Sequence, residues 1–308
     1  MKRIIVDGAT SLVGVALINK AISENVEVYA LTRSNSRRAD RIPRHNLVHN
    51  VECDLANIKN LNGVGTECDV YFHIAWEGTE KGSLQVPEKQ IANIQYEIDA
   101  VELARRCECK KFVGAGSQAE FGPKKGVMSA NETFNPNIAY GFAKLAAYGL
   151  SRDLCKEYGI THLWGRIFSL YGGNDIENTL LDYAIKSFLN GKDAFFSSGV
   201  QMWDYLNEKD AGEMFFLLGE KCDKSKAYNI AYGKSRPLRK YIEILAHEMN
   251  AINFCHFDDK KNSNQGLQAD ISEIEKDTGF SPKITFESGI KDMINIYRDR
   301  WQRKQLTK

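Results

Sequence analysis

Short apolar runs alternate with stretches of helical periodicity along most of the chain. The apolar runs predict strands at residues 4–6, 26–31, 69–75, 111–115 and 161–168. Helical spacing predicts helices at residues 15–23, 91–106, 139–158 and 179–190. Strands that alternate with helices in this way form βαβ units and a parallel sheet. The pattern therefore predicts an α/β fold with a Rossmann-type, doubly wound parallel sheet.

The alternation weakens after about residue 170. Beyond it the chain leans helical with short strands, including one predicted at residues 203–206. We assign residues 1–168 and about 200–232 to a Rossmann domain, and about 169–199 and 233–308 to a smaller, discontinuous α/β substrate-binding lobe. A ligand is expected in the crevice between them, at the carboxyl ends of the strands.

The charge balance excludes two classes of partner. The 308 residues carry 41 Lys and Arg against 40 Asp and Glu, a formal net charge of +1. Nucleic-acid binders need a strongly positive surface, and proteins drawn to anionic membranes need the same. We therefore expect no nucleic acid and no membrane partner, and a small-molecule ligand instead.

Cysteine spacing and hydropathy bear on the compartment. The seven cysteines are scattered without the paired spacing of a zinc ribbon or a redox dithiol, so we predict reduced thiols and no metal site. The apolar run after Arg3 is too short for a signal peptide, and no later run in the sequence approaches the ~18 residues of a membrane span. A cytoplasmic protein is expected.

A glycine-containing loop, residues 8–14, joins the first strand to the first helix. Such glycines let backbone N–H groups at a helix N-terminus face a pyrophosphate. The spacing resembles the G-x-x-G-x-x-G loop of short-chain dehydrogenase/reductases, except that Ser11 replaces the middle glycine. Either the Ser11 hydroxyl joins the pyrophosphate site or the pyrophosphate lies farther off, and a plain turn capped by Thr10 or Ser11 is the alternative. The predicted contacts are Gly8, Thr10, Ser11, Leu12, Val13 and Gly14.

Basic residues follow the second strand, where dinucleotide folds contact the adenosine ribose. An acidic residue there binds the ribose hydroxyls of NAD, whereas Arg suits the 2′-phosphate of NADP. Arg33 stands nineteen residues after Gly14, followed by Arg37 and Arg38. We predict a preference for NADP(H), with NAD(H) possible and a solvated basic loop as the alternative.

Further cofactor contacts are predicted near the ends of other strands. Related folds contact the adenine ring after the third strand and the phosphates after the fourth. His73, at the end of the fourth strand, is expected to pack or hydrogen-bond locally. The residues assigned here to the cofactor are Asp54, Leu55, Ile74, Ala75, Trp76 and Ile167.

Tyr140 and Lys144 are four residues apart, which puts both side chains on one face of a helix. A phenol with a pKa of ~10 needs a nearby ammonium to exchange a proton at neutral pH. Tyr205 and Lys209 share this spacing, and about one match by chance is expected. Upstream of Tyr140, Ser117 supplies a small hydroxyl at the end of a buried strand. We predict Ser117, Tyr140 and Lys144 as the catalytic set.

These motifs together resemble the extended short-chain dehydrogenase/reductases, specifically the NAD(P)-dependent nucleotide-sugar epimerases, dehydratases and 4-ketoreductases. The resemblance implies that Tyr140 is the acid/base at the sugar O4 and that Ser117 hydrogen-bonds the same oxygen. It implies that Lys144 lowers the Tyr140 pKa and holds the nicotinamide ribose. Asn93 resembles the helix Asn that orders the cofactor region, a plain polar helix residue being the alternative.

The family comparison also indicates substrate contacts, with two departures. Ser169 stands where many epimerases carry Asn, and Trp203 where many carry an Arg near the diphosphate. Arg236 or Lys234 could supply that charge, though either could equally lie at the surface. The predicted substrate contacts are Gln118, Ser169, Asn178, Trp203 and Arg236.

The same comparison separates the reactions of the family. Sugar 4,6-dehydratases carry an Asp-Glu pair after the hydroxyl residue; here Gln118 and Ala119 stand there and Glu120 comes one place too late, so we reject dehydration. Arg33 favours an NADP(H)-dependent 4-ketoreductase of nucleoside-diphosphate-linked 6-deoxy sugars. An NAD-dependent nucleotide-sugar 4-epimerase is the first alternative, and a non-catalytic NADP(H)-sensing protein the second.

Apolar residues on more than one face of the helices at 91–106 and 139–158 suggest a partner helix pair. This surface commonly forms a dimer in the family, so we predict a homodimer.

Overall fold

The structure is a computed structural model that describes residues 1–65, 67–80, 82–173, 179–258, 260 and 266–306. The strands are β1 (Arg3–Asp7), β2 (Glu27–Thr32), β3 (Val48–Glu52), β4 (Val70–His73), β5 (Lys111–Ser117), β6 (Thr161–Ile167), β7 (Ser169–Tyr171), β8 (Ala194–Ser197), β9 (Met202–Trp203), β10 (Tyr205–Asn207), β11 (Lys226–Ile230), β12 (Arg236–Pro237) and β13 (Cys255–Asp258). The α-helices are α1 (Leu12–Ser23), α2 (Pro87–Arg106), α3 (Ala139–Glu157), α4 (Leu180–Leu189), α5 (Glu208–Lys221), α6 (Leu238–Glu248), α7 (Ser272–Thr278) and α8 (Phe286–Leu306).

A seven-stranded parallel sheet forms the centre of the fold, in the order β3-β2-β1-β4-β5-β6-β11. Strand β1 is buried on both faces, because Ile4 and Val6 belong to one hydrophobic core and Ile5 to another. Continuous burial of this kind is typical of parallel sheets covered on both sides. The predicted doubly wound α/β fold is confirmed.

Helices cover the two faces of this sheet. On one face α1 packs against α5, where a Cβ on Gly212 would come within 2.5 Å of the Ala16 carbonyl carbon. On the other face α2 packs against α3. Because all seven strands run in parallel, their carboxyl ends and the loops that follow them share one edge of the sheet.

Two predicted strands differ from the structure for identifiable reasons. The run at residues 69–75 ends as a strand at His73, since the Asp7 carboxylate accepts the backbone N–H groups of Ile74 and Ala75. The predicted strand at residues 203–206 is divided at Asp204, which accepts the N–H groups of Tyr232 and Gly233. As a result β9 pairs with β12, whereas β10 pairs with β7.

A separate hydrophobic cluster lies in the C-terminal half, formed mainly by α4, α6 and α8. Leu181, Ile185, Leu245 and Ile290 are fully buried in it, and Phe286 stacks edge-on against Tyr241. These segments include the ones that we assign to a substrate-binding lobe. The domain boundaries themselves remain a prediction.

The cysteines are free thiols, and five of the seven are buried. None of the helices in the described part of the chain has the length and apolar character needed to cross a membrane.

Candidate active site

A large cavity of about 1260 Å³ runs along the carboxyl ends of the central strands. It extends from the loop after β1 and the segment after β2 to the ends of β5 and β6 and the start of α3. The predicted residues that line it are Gly8, Thr10, Ser11, Leu12, Val13, Arg33, Arg37, Arg38, Asp54, Leu55, Ile74, Ala75, Trp76, Ser117, Tyr140, Lys144 and Ile167. The fold therefore brings the predicted cofactor residues and the predicted catalytic set to one cavity.

The loop between β1 and α1 is tightly packed against neighbouring backbone. Gly8 has φ +62°, and a Cβ there would come within 2.6 Å of the Ala75 nitrogen. A Cβ on Gly14 would come within 2.3 Å of the Gly8 carbonyl oxygen. Only glycine fits either position without a shift of the backbone.

Ser11 is the N-cap of α1. Its Oγ accepts the Gly14 N–H at 3.0 Å, and its own N–H donates to the Gly8 carbonyl at 2.9 Å. The side chain thus satisfies one of the free donors at the helix N-terminus. Ser11 also lines the cavity, so the cap and the predicted phosphate contact occupy the same place.

Three guanidinium groups stand at the far end of the cavity from Tyr140. Arg33, Arg37 and Arg38 are exposed and line the cavity wall after β2. Within the described part of the chain, no ion pair involves any of the three. Asp54 and Leu55 lie in the wall beside them, after β3.

Ser117 ends β5 and caps the short 3₁₀ helix that follows. Its Oγ accepts the Ala119 N–H at 3.2 Å, while the Glu120 carboxylate accepts the Ser117 N–H at 2.8 Å. Together these bonds form a capping box. The arrangement fixes the position of the Ser117 hydroxyl beside the cavity.

Glu120 is the anchor of this turn. It is fully buried, and its other bonds are to the Arg166 guanidinium at 2.6 Å and the Trp164 indole N–H at 3.0 Å. Burial and pairing take this carboxylate out of the cavity, which agrees with its rejection as a dehydratase acid. Its contribution is to hold the β5 end in place.

Lys144 is a buried residue of the cavity wall, one turn after Tyr140. Its Nζ donates to the Ala115 carbonyl at 2.6 Å and lies 3.5 Å from the centroid of the Trp76 ring. Burial lowers the pKa of Lys144 to about 8, and the negative charges of Glu97, Glu120 and Asp7 oppose that shift.

Tyr140 packs edge-on against Trp76, with ring centroids 5.9 Å apart. Burial raises the pKa of its phenol to about 12, and a hydrogen bond with Ser117 acts in the opposite direction. Ser117 rather than Lys144 is therefore the group that lowers the phenol pKa in this structure. The effect of Lys144 on Tyr140 remains a prediction for the cofactor-bound state.

Some predicted contacts lie away from the cavity wall. Asn93 is buried, and its amide bonds both backbone polar groups of Glu77, so it orders the loop after β4 instead of facing a ligand. Gly14 faces Gly8 and Ser11, as described above. Trp203 and Arg236 face each other in the β9–β12 pair, and Arg236 is ion-paired with Glu287. The others outside the wall are Gln118 and Ser169, and Asn178 lies outside the described residues.

Sequence reasoning missed several buried polar residues around the site: Asp7, Gln90, Glu97 and the structural use of Glu120. Asp7 holds the end of β4, and Gln90 accepts the Trp76 indole N–H at 2.9 Å. Their signal in the sequence was a polar side chain at an otherwise apolar position, such as Asp7 directly after residues 4–6. Such a residue is buried only when it is hydrogen-bonded or paired.

Comparison with known proteins adds family information to this geometry. The family model described as the NAD dependent epimerase/dehydratase family matches residues 4–231. An uncharacterized UDP-glucose epimerase, YtcB of Bacillus subtilis, is 26% identical over 81% of this chain and 78% of its own. A dTDP-4-dehydro-6-deoxyglucose reductase of Escherichia coli is 26% identical over 62% of each chain.

A solved structure matches the fold over nearly the whole chain. It is the UDP-glucuronic acid 4-epimerase of Bacillus cereus in complex with NAD, with a TM-score of 0.84 and 19% identity. The match covers 97% of this chain and 98% of that one. The residues of the present cavity fit a dinucleotide, because the glycine-containing loop at the N-terminus of α1 lines it and the wall after β2 carries guanidinium groups that form no ion pair among the described residues.

Proposed function

The chain belongs to the NAD dependent epimerase/dehydratase family and is an NAD(P)-dependent enzyme of the extended short-chain dehydrogenase/reductases, and from this premise we propose which reaction it catalyses. The proposed reaction is the NADPH-dependent reduction of the 4-keto group of a nucleoside-diphosphate-linked 6-deoxy sugar. The product is the corresponding 4-hydroxy sugar.

One observation carries the choice of cofactor. Arg33, Arg37 and Arg38 line the cavity after β2 and form no ion pair among the described residues. Arginine binds a phosphate through two parallel N–H bonds, so unpaired guanidinium groups favour a ligand with a 2′-phosphate. An enzyme that releases NADP⁺ after each turnover is a reductase rather than a cofactor-retaining epimerase.

The catalytic roles follow from protonation states. When bound, NADPH supplies the hydride that is added to the sugar C4. Tyr140 is protonated at neutral pH, because burial raises the pKa of its phenol to about 12. Its proton passes to O4 as the carbonyl is reduced, which completes the alcohol. Ser117 hydrogen-bonds O4, and the Lys144 ammonium favours the phenolate that remains.

The surroundings of Ser117 support reduction without dehydration. Elimination of water from the sugar needs a second acid/base pair near the reacting carbons. Gln118 and Ala119 offer no titratable group, and the Glu120 carboxylate is bonded to Arg166 and Trp164. The substrate therefore keeps its remaining hydroxyl groups.

A nucleotide-sugar 4-epimerase is the second candidate. The same Ser117, Tyr140 and Lys144 would serve it, with the hydride returned to the opposite face of the sugar ring. The similarity to YtcB, an uncharacterized UDP-glucose epimerase, and to the UDP-glucuronic acid 4-epimerase of Bacillus cereus favours this candidate. The epimerase requires a cofactor that stays bound through each turnover. The reductase instead has to release NADP⁺ and bind NADPH in each turnover.

The experiment compares cofactor use directly. The purified enzyme is incubated with dTDP-4-dehydro-6-deoxyglucose and either NADPH or NADH, and separately with UDP-glucose and no added cofactor. We expect loss of NADPH absorbance matched by a reduced sugar in the first case. Formation of the C4 epimer without added cofactor would replace the reductase by the epimerase. Tighter binding of NADH than of NADPH would defeat the cofactor assignment.

A further inference from the structure

A buried chain of three titratable side chains lies beneath the proposed catalytic centre. Asp7 ends β1, His73 ends β4 and Glu97 comes from α2; their exposures are 1%, 1% and 0%. His73 Nδ1 contacts the Asp7 carboxylate, and its Nε2 lies 3.3 Å from Glu97 Oε2. The three side chains thus form an acid–imidazole–acid series inside the protein.

The two ends of this series have different environments. Asp7 accepts hydrogen bonds from the Tyr71 hydroxyl and from the N–H groups of Ile74 and Ala75, in addition to His73. The Asp7 carboxylate is therefore well supplied with hydrogen-bond donors. Neither oxygen of Glu97 has a hydrogen-bond partner in the described part of the chain. Its contact with His73 is a charge contact rather than a directed hydrogen bond.

Glu97 lies against β5, next to the residue that accepts the Lys144 hydrogen bond. A Cβ on Gly114 would come within 3.0 Å of Glu97 Oε1, and the next residue, Ala115, accepts the Lys144 Nζ–H. Gly114 therefore leaves Glu97 room against β5 beside the anchor of Lys144. A buried carboxylate without donors is costly unless a positive charge balances it. Burial raises the pKa of Glu97, and the positive charges of His73 and Lys144 oppose that rise.

Titratable groups of five elements act on Lys144 or adjoin it. They are Asp7 of β1, His73 of β4, Glu97 of α2, Glu120 of the turn after β5 and Tyr140 of α3. Glu120 is already neutralised by Arg166, and Asp7 by His73. Of these three carboxylates, Glu97 is the one that accepts no hydrogen bond among the described residues. Among the charges that raise the Lys144 pKa, Glu97 has the largest effect.

We infer that Glu97 is a positioning residue of the active site: held by His73 and Asp7, its carboxylate keeps the buried Lys144 in the ammonium form. Burial alone favours the neutral amine, which could neither stabilise a phenolate nor hold the ribose by charge. The inference rests on the proposed roles of Lys144 and Tyr140. The charge state of Lys144 can nevertheless be measured without any turnover of substrate.

Trp76 is the natural reporter, because its ring lies directly over the Lys144 ammonium. The emission of Trp76 is followed from pH 6 to 11 in the parent enzyme, with Trp76→Phe and Lys144→Met used to identify the component that reports Lys144. We expect Glu97→Gln to move the midpoint of that component down by about 1 pH unit, since loss of a nearby anion destabilises the ammonium. Glu97→Met removes the same charge without leaving an unpaired polar group, and serves if Glu97→Gln does not fold.

Two controls separate charge from packing. Glu97→Asp keeps the carboxylate and should keep the midpoint of the parent. Glu102→Gln removes a carboxylate from the same helix, where Glu102 pairs with Arg105 near the surface, and should also leave the midpoint in place. An unchanged midpoint in both Glu97→Gln and Glu97→Met, or in whichever of them folds, would overturn the inference. A shifted midpoint in an enzyme that fails to reduce a 4-keto sugar would overturn only the proposed function.

Discussion

Burial moves the pKa values of two neighbouring residues in opposite directions. It raises the pKa of the Tyr140 phenol to about 12 and lowers that of the Lys144 ammonium to about 8. At neutral pH the phenol is protonated and the amine largely charged. This pair of states suits proton donation to a developing alkoxide, with the positive charge close by to stabilise the phenolate that forms.

Tyr140→Phe tests the phenol by the loss of one oxygen. We expect kcat for the reduction to fall by about 10²–10⁴-fold, the usual contribution of a positioned acid, with little change in the NADPH Kd. Steady-state kinetics and a binding titration measure the two quantities. Tyr205→Phe removes a phenol from the pair with the same spacing and should retain turnover. Unaltered turnover in Tyr140→Phe would instead revive a cofactor-sensing protein without catalysis.

Arg33→Ser tests the choice between the two cofactors. Hydrogen bonds to charged groups contribute about 1.5–3 kcal/mol, so the NADPH Kd should rise by about 10–100-fold while the NADH Kd changes little. Isothermal titration calorimetry supplies both constants. Arg44→Ser, an exposed residue outside the cavity wall, is the matched control. Equal weakening of both cofactors would mean that Arg33 contacts no 2′-phosphate.

At the scale of elements, the start of α1 combines two tasks. Ser11 caps the helix through the Gly14 N–H, and the same turn faces the cavity. A glycine at this position, as in related loops, would free a donor for a phosphate but give up the cap. The serine is thus the more stabilising choice for the helix in the absence of a ligand.

Substitutions at Ser11 separate these tasks. Ser11→Ala should lower the free energy of unfolding by about 1 kcal/mol. Ser11→Gly should lower it by only roughly a few tenths of a kcal/mol. Urea denaturation of the ligand-free protein measures both. If the cap is the main role of Ser11, Ser11→Gly keeps its affinity for NADPH. A large loss of affinity in Ser11→Gly would show that the hydroxyl itself binds phosphate.

At the scale of the whole molecule, two adjacent helices carry large exposed apolar side chains. Ile91 of α2 and Phe142 and Leu150 of α3 are 62%, 58% and 49% exposed, although the two helices pack on each other. Large exposed apolar side chains on adjacent helices mark a surface that another chain can cover. A second copy of the same helix pair is the partner we propose, which gives a homodimer with twofold symmetry.

Light scattering tests this assembly. The parent protein should have twice the 34.8 kDa mass of the chain at micromolar concentration. The double variant Phe142→Asp/Leu150→Asp should run as a monomer, because a dimer would bury its new charges. Phe195→Asp alters an apolar residue of β8 that is 68% exposed in the other half of the molecule, and should remain dimeric. A monomeric parent would contradict the proposal.

The sequence by itself determined the fold class, the order of the main elements and many residues of the cavity wall. These features depend on local patterns: buried strands read as continuous apolar runs, and the loop at 8–14 and the Tyr140–Lys144 spacing are short motifs. Parallel strands align their carboxyl ends, so residues assigned to separate strand ends, such as Arg33 and Ser117, were certain to share one edge.

The tertiary structure alone decided the partners of the buried polar residues. Asp7, His73 and Glu97 lie on three separate elements of the chain. Glu120, in the turn after β5, pairs with Arg166 of the neighbouring strand β6. No local pattern encodes these contacts, because each depends on the register and packing of separate elements. For the same reason, only the structure identifies Glu77 as the residue that Asn93 bonds and Arg236 as the partner of Trp203 in a short ladder. The protonation state of Lys144 follows from this assembly of charges around a buried site. The low dielectric there strengthens the interaction between each pair of charges.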